Sequence, residues 1–322
     1  MKLSVLTNLF GTLPFEQALA KFEKLGISCV EIGCGGYPGQ AHCDPAVLLS
    51  DVGAFAFWRA ALKSHNIEVC ALAVHGNPVH PDKEIAKKYH DDFVNAVLFA
   101  EKIGVDTIIT FSGCPGGSPD DKTPNWVTCP WPEDFLGVLD YQWNEVLVPY
   151  WKETAAFAKS HGVTKIAFEM HPGFCVYNPK TLLRLREAVG DVIGANFDPS
   201  HLVWQGIDPV AAIRALSGAI YHFHAKDTKI DKYNTAVNGV LDTTHYGNEL
   251  ERSWIFRTVG YGNGLQYWRD MISALRLAGY DKVMSIEHED SLMTTDEGLE
   301  KAVAFLKQSI IEAPKPTGMH WA

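Results

Sequence analysis

The chain has 322 residues, 47% of them hydrophobic and 20% charged, a globular composition long enough to bury a large core without disulfides or structural metal. Thirty-eight acidic residues against 28 Lys and Arg give a formal charge of −10, which repels phosphate backbones and anionic lipid, so neither nucleic acid nor a membrane surface is the expected partner. No apolar run approaches the ~18 residues of a membrane span, and the start, Met1-Lys2-Leu3-Ser4-Val5-Leu6, is not expected to be a signal peptide.

Short runs rich in Val, Ile and Phe occur at 3–8, 28–33, 67–75, 105–112, 164–171, 192–198, 219–225 and 282–288, each followed by a loop and a helical stretch. In 82–103, Ile85, Tyr89, Phe93, Val97 and Ala100 step by three or four residues, the period of an amphipathic helix. Gly26, Gly104, Gly162, Gly190 and Gly279 precede the next run, where a helix stop belongs. Near-continuous apolar strands alternating with helices predict a parallel sheet covered by helices. Eight such units predict a single-domain (β/α)8 TIM barrel spanning 1–322.

Two connections exceed the usual length: 113–137 after the fourth strand and 227–262 after the seventh. Both belong to the C-terminal face, where barrels build their sites. Their aromatic and cationic residues, Trp126, Trp131 and Arg257 among them, are therefore expected to wall a substrate pocket. The seven cysteines (29, 34, 43, 70, 114, 129 and 175) are odd in number and form no Cys-x-x-Cys. Reduced thiols of a cytoplasmic protein are expected.

The last four strands each end in a carboxylate or imidazole: Glu169 and His171, Asp198 and His201, His222 and His224, and Glu287. Adjacent strands lie about 4.8 Å apart, so these tips converge over the barrel mouth. Three carboxylates brought together repel one another unless a cation joins them. Three carboxylates and one imidazole make a hard shell that suits one divalent ion, Mn²⁺ or Mg²⁺ ahead of Co²⁺ or Zn²⁺.

The runs Phe168-Glu169-Met-His-Pro, Asn196-Phe-Asp198-Pro-Ser-His201, His222-Phe-His224-Ala-Lys-Asp227 and Ser285-Ile-Glu287-His resemble the xylose isomerase-like barrels. That superfamily includes ketose 3-epimerases, inosose-type isomerases and dehydratases, hydroxypyruvate isomerase and endonuclease IV. The resemblance implies metal ligands Glu169, Asp198, His224 and Glu287, with Glu169 and Glu287 as the acid–base pair and His201 beside the substrate. The extra metal ligands of the nuclease branch are missing: the fourth strand ends Thr110-Phe111-Ser112, and 236–239 reads Ala-Val-Asn-Gly. The epimerases' arginine after the seventh strand is also missing from 227–231, so substrate hydroxyls must be recognised differently.

Further polar residues carry secondary expectations. His171 shares the parity of Glu169 and is a second acid–base group or a hydroxyl ligand. Lys226 neutralises a substrate oxyanion or pairs with a neighbouring acid, and His75 lines the opposite wall. Glu31 serves either a barrel ion pair or the substrate, and His222 is structural, one layer below His224. The last helix opens Thr294-Thr295-Asp296-Glu297, a capping box whose acids oppose a phosphate there. An uncharged sugar, cyclitol or keto-glycoside is therefore expected as substrate, rather than a sugar phosphate. The chemistry expected is isomerisation or epimerisation by proton abstraction beside a carbonyl, through an enediolate. The alternative ending of the same start is β-elimination from a keto-glycoside or inosose, and a closed metal shell would instead mark a non-catalytic sugar-binding barrel. The apolar end of the tail 312–322 is expected to dock on the barrel or on a second copy as a homo-oligomer.

Overall fold

The computed structural model describes residues 1–316 and residue 318; of the tail, residues 317 and 319–322 lie outside the described residues. Among the described residues ten strands form: β1 (Lys2–Leu6), β2 (Cys29–Gly33), β3 (Glu68–Ala73), β4 (Thr107–Thr110), β5 (Lys165–Glu169), β6 (Ile193–Phe197), β7 (Ile220–Ala225), β8 (Asp227–Ile230), β9 (Trp254–Arg257) and β10 (Val283–Ile286). Eight of them close a parallel barrel in the order β1-β10-β7-β6-β5-β4-β3-β2, while β8 and β9 pair as an antiparallel hairpin. β1 and β10 complete the closure, with Ser4 opposite Ser285. Among the described residues no helix is long and apolar enough to cross a membrane.

The alternation of side chains along each strand divides the core into two layers. Phe168 faces outward and packs edge-on against Trp151, ring centroids 4.6 Å apart. Phe22, Phe93, Trp151 and Trp268 are buried between the sheet and its helices. The inward neighbours Ala71, Ala73, Ile109 and Ala167 form a separate, smaller cluster. Small inward residues leave the barrel axis free for polar groups. Ser4, Glu31, His222, His224 and Ser285 are all buried there.

The strands are shorter than the apolar runs, because the chain leaves the ladder at the rim. Strand 67–75 stops at Ala73, 105–112 at Thr110 and 164–171 at Glu169, so His75, Ser112 and His171 stand on loops. The helix expected at 82–103 runs Lys83–Ile103, with Asp82 capping its start and Gly104 ending it at φ 75°. That left-handed value suits a residue without Cβ.

The two long connections carry structure of their own. In the second, the hairpin sets Asp227 opposite Arg257. The Asp227 carboxylate then gathers the N–H groups of Gly260, Gly262 and Asn263 and the Trp268 indole. The first connection leads into a helix at Asp134–Asp140 and a π-helical turn at Tyr141–Leu147.

Candidate active site

Glu169 ends β5, His224 lies in β7, and Asp198 and Glu287 stand one residue beyond β6 and β10. These four each offer one ligand atom, and all four atoms lie within 4.8 Å of one another. His224 Nδ1 is 3.1 Å from Glu169 Oε2 and 3.0 Å from Glu287 Oε2. Ligands at right angles on bonds of about 2.1 Å stand about 3 Å apart, so the spacing fits a small divalent cation.

Asp198 caps the short helix Pro199–Val203, its Oδ1 accepting from Ser200 N–H at 2.8 Å. Its other oxygen, Oδ2, has no hydrogen-bond partner although buried, and the same holds for His224 Nδ1 and Glu287 Oε2. Buried polar atoms left unpaired are costly. Three of them converging on one point is what a cation site requires, and the donor set fits the hard ion expected from the sequence.

Around the cluster a second ring of polar groups grips Glu169. His201 Nε2 lies 2.9 Å from its Oε1, and His75 Nε2 lies 3.0 Å from its Oε2. Asn196 Nδ2 donates to Oε2 at 3.1 Å. Burial pushes the Glu169 carboxyl up, but the close imidazoles of His201, His224 and His75 outweigh it and hold the group well below the usual carboxylate range. For Glu287, burial is likewise overcome, here by the charges of Lys226 and His224, and the carboxyl is drawn down to about 2. His224 moves the other way: burial opposes its charge, but Glu31, Glu287 and Glu169 raise it well above the ordinary imidazole value. His171 is driven down to about 3, first by burial and then by the charge of His201.

Lys226 takes the ion-pair alternative. Its Nζ lies 2.9 Å from Glu289, 3.0 Å from Glu287 and 3.2 Å from Asp198, and 4.7 Å above the Phe256 ring. A cavity of about 240 Å³ opens onto Glu169 and Glu287 and is walled by Asn8, Tyr37, His75, Phe111, His171, His201, Lys226 and Glu289. The structure thus brings together Glu169, Glu287, His171, His201, Lys226 and His75.

Three residues expected at the pocket are placed elsewhere. Arg257 Nε donates to Asp290 Oδ2 at 3.0 Å, because the hairpin fixes it beside the loop after β10. Trp131 is 75% exposed. Trp126 lines a roomier cavity, about 820 Å³, that reaches none of the clustered acids. Conversely, Asn8, Tyr37 and Phe111 escape a search for acids and imidazoles. Glu289 was legible by parity, two residues after Glu287.

Residues 19–309 match the sequence profile of the xylose isomerase-like TIM barrel. The chain belongs to the xylose isomerase-like TIM barrel family. A relative in Bacillus subtilis (strain 168), the uncharacterized protein YfiH, is 42% identical over 312 residues, covering 96% of this chain and 99% of that protein. Among solved structures, the IOLI protein with a binding zinc atom superposes with a TM-score of 0.66 at 18% identity, over 96% of this chain and 98% of that one. D-psicose 3-epimerase in the presence of D-fructose gives a TM-score of 0.62 at 14% identity, over 96% and 99%. At such identities the structural likeness speaks for the fold. The family is the one that the strand-tip motifs resemble, and the closed eight-stranded barrel is that expected from the eight strand–helix units.

Proposed function

We propose that the chain is a divalent-metal-dependent isomerase or epimerase of a neutral sugar or cyclitol, acting by proton transfer at a carbon beside a carbonyl. The observation that carries this reading is the convergence of Asp198 Oδ2, His224 Nδ1 and Glu287 Oε2, all buried and unpaired, beside Glu169. A pocket of about 240 Å³ meets them. Names among the structural neighbours, an epimerase with a ketose and a zinc-bound barrel, agree with it.

A bound divalent ion would supply Lewis-acid stabilisation of the negative charge that develops on the substrate oxygen. The chain's own residues do the rest. Glu169 and Glu287 both border the pocket and are both held ionised, so each is ready to accept a proton. One takes the proton next to the carbonyl and the other returns one, to the opposite face or to the adjacent carbon. Glu169 is fixed by four side chains, and Glu287 Oε2 lies 3.0 Å from both Lys226 and His224, so each carboxylate is held in place at the pocket. His171, neutral at physiological pH, offers a hydroxyl partner rather than a charge.

The charge balance supports an uncharged substrate. Glu169, Asp198, Glu287 and Glu289 outnumber the positive charges that Lys226 and a divalent ion bring, and Lys226 is already engaged by three of them. A sugar phosphate would add charge where carboxylates already dominate.

Incubating the metal-loaded protein with ketoses and inososes in D₂O tests the proposal. Deuterium is expected at a carbon next to the carbonyl of at least one substrate, and Glu287→Gln should abolish its entry without unfolding the protein. Exchange that persists undiminished in Glu287→Gln removes that residue from the mechanism, and no exchange across the panel contradicts proton abstraction.

A further inference from the structure

A second group of potential metal ligands lies directly beneath the first. Glu31, His222 and His224 each offer one atom, again within 4.8 Å of one another, and His224 belongs to both groups. By composition alone the lower group reads as a second metal centre. Its hydrogen bonds say otherwise. Glu31 Oε2 lies 2.9 Å from His222 Nε2 and accepts from Ser285 Oγ at 2.8 Å, and both Glu31 oxygens lie 3.0–3.1 Å from His224 Nε2. None of these atoms is among the buried polar atoms left unpaired, whereas three of the four ligand atoms above are.

A carboxylate only accepts, so each imidazole nitrogen that faces Glu31 must carry its proton. For His224 this fixes a proton on Nε2, so Nδ1, on the far side of the ring beside Glu169 and Glu287, is the nitrogen whose lone pair a cation would take in exchange for a proton. We propose that Glu31 is the positioning residue that presents His224 Nδ1 to the cation, through a buried hydrogen-bond cluster with His222 and Ser285. The inference rests on the reading that the upper four residues hold one divalent ion. Glu31 is placed for this by local strand geometry: the β2–β3 register shifts between Val30 and Glu31, where a bulge re-aims a side chain. Such outer partners fix ring orientation and raise ligand basicity, and their loss weakens metal binding by about 10–100-fold.

The test is zinc affinity, measured by competition with a chromophoric chelator, for the full chain and for Glu31→Gln. The natural chain is expected to bind one ion. The amide presents N–H₂ to one imidazole and forces a ring to change tautomer, so Glu31→Gln should bind about 10–100-fold more weakly with unchanged circular dichroism. One ion bound equally well by both proteins overturns the role of Glu31. Two ions per chain place metal in the lower group and overturn it as well. No ion bound by the natural chain removes the reading on which it rests. Should Glu31→Gln not fold, long-range ¹H–¹⁵N spectra of the zinc-loaded, ¹⁵N-histidine-labelled natural chain decide. His224 protonated at Nε2 and metal-bound at Nδ1 is the expected result, and the reverse tautomer overturns the proposal.

Discussion

Lys226 Nζ lies 3.0 Å from Glu287 Oε2, yet that oxygen has no hydrogen-bond partner. The ammonium donates instead to Glu289, at 2.9 Å, and neutralises Glu287 through space. Removing one partner of a buried charge group strands the other and costs about 3–5 kcal/mol. Lys226→Met should therefore lower the stability of the metal-free protein by an amount of that order. Added divalent ion should restore more stability to the variant than to the natural chain, because it replaces the missing charge. Thermal denaturation with and without ion measures both, and equal gains would contradict the assignment.

Metal binding should depend on pH through His224. Its charged form is favoured well above the ordinary imidazole value, so in the metal-free fold it holds a proton that an ion must expel. Affinity is expected to rise about tenfold per pH unit between about 5.5 and 6.5, flattening once the raised folded value is passed. In the metal-free protein the sign reverses for stability: the contribution of His224 is fully present below the unfolded imidazole value and is lost as pH rises through the folded one. Chelator competition across this pH range checks the first, and a flat profile would contradict it.

His171 titrates in the opposite sense. Its folded value is drawn down to about 3, so the unfolded chain binds the proton first on acidification. Its neutral form therefore supports the fold above the unfolded value, and that support is lost as pH falls toward 3. His171→Gln should lose on the order of 1 kcal/mol less stability than the natural chain between pH 6.5 and 5. Urea denaturation at the two pH values measures the difference.

Gly36 has φ 62°, and a Cβ built there would lie 1.8 Å from the carbonyl oxygen of His75. Gly36→Ala must displace His75, whose Nε2 is 3.0 Å from Glu169. A loss of about 1–3 kcal/mol in stability is expected, with a fall in turnover larger than any change in KM. Full turnover in a destabilised variant would show that His75 does not position Glu169.

The barrel and the convergence of its acids were legible because the carboxylates and imidazoles that end the apolar strands fall on one edge. Glu169, Asp198, His224 and Glu287 are visible in that way. The walls were not. Asn8, Tyr37 and Phe111 carry no chemistry that separates them from ordinary loop or core residues. Loop length says nothing of loop conformation, and the β8–β9 pairing turns Arg257 toward Asp290 rather than into the pocket. Trp131 is exposed, and nothing in a sequence tells a pocket wall from an exposed loop residue. The role of Glu31 is not legible from its own strand, because its partners, His222, His224 and Ser285, come from strands far along the chain.

Anomalous diffraction from crystals of the Mn²⁺-loaded protein locates the ion. A single peak per chain is expected, about 2.0–2.3 Å from a carboxylate oxygen of Glu169, Asp198 and Glu287 and from Nδ1 of His224. A peak away from these four residues, or none at saturating Mn²⁺, would contradict the account.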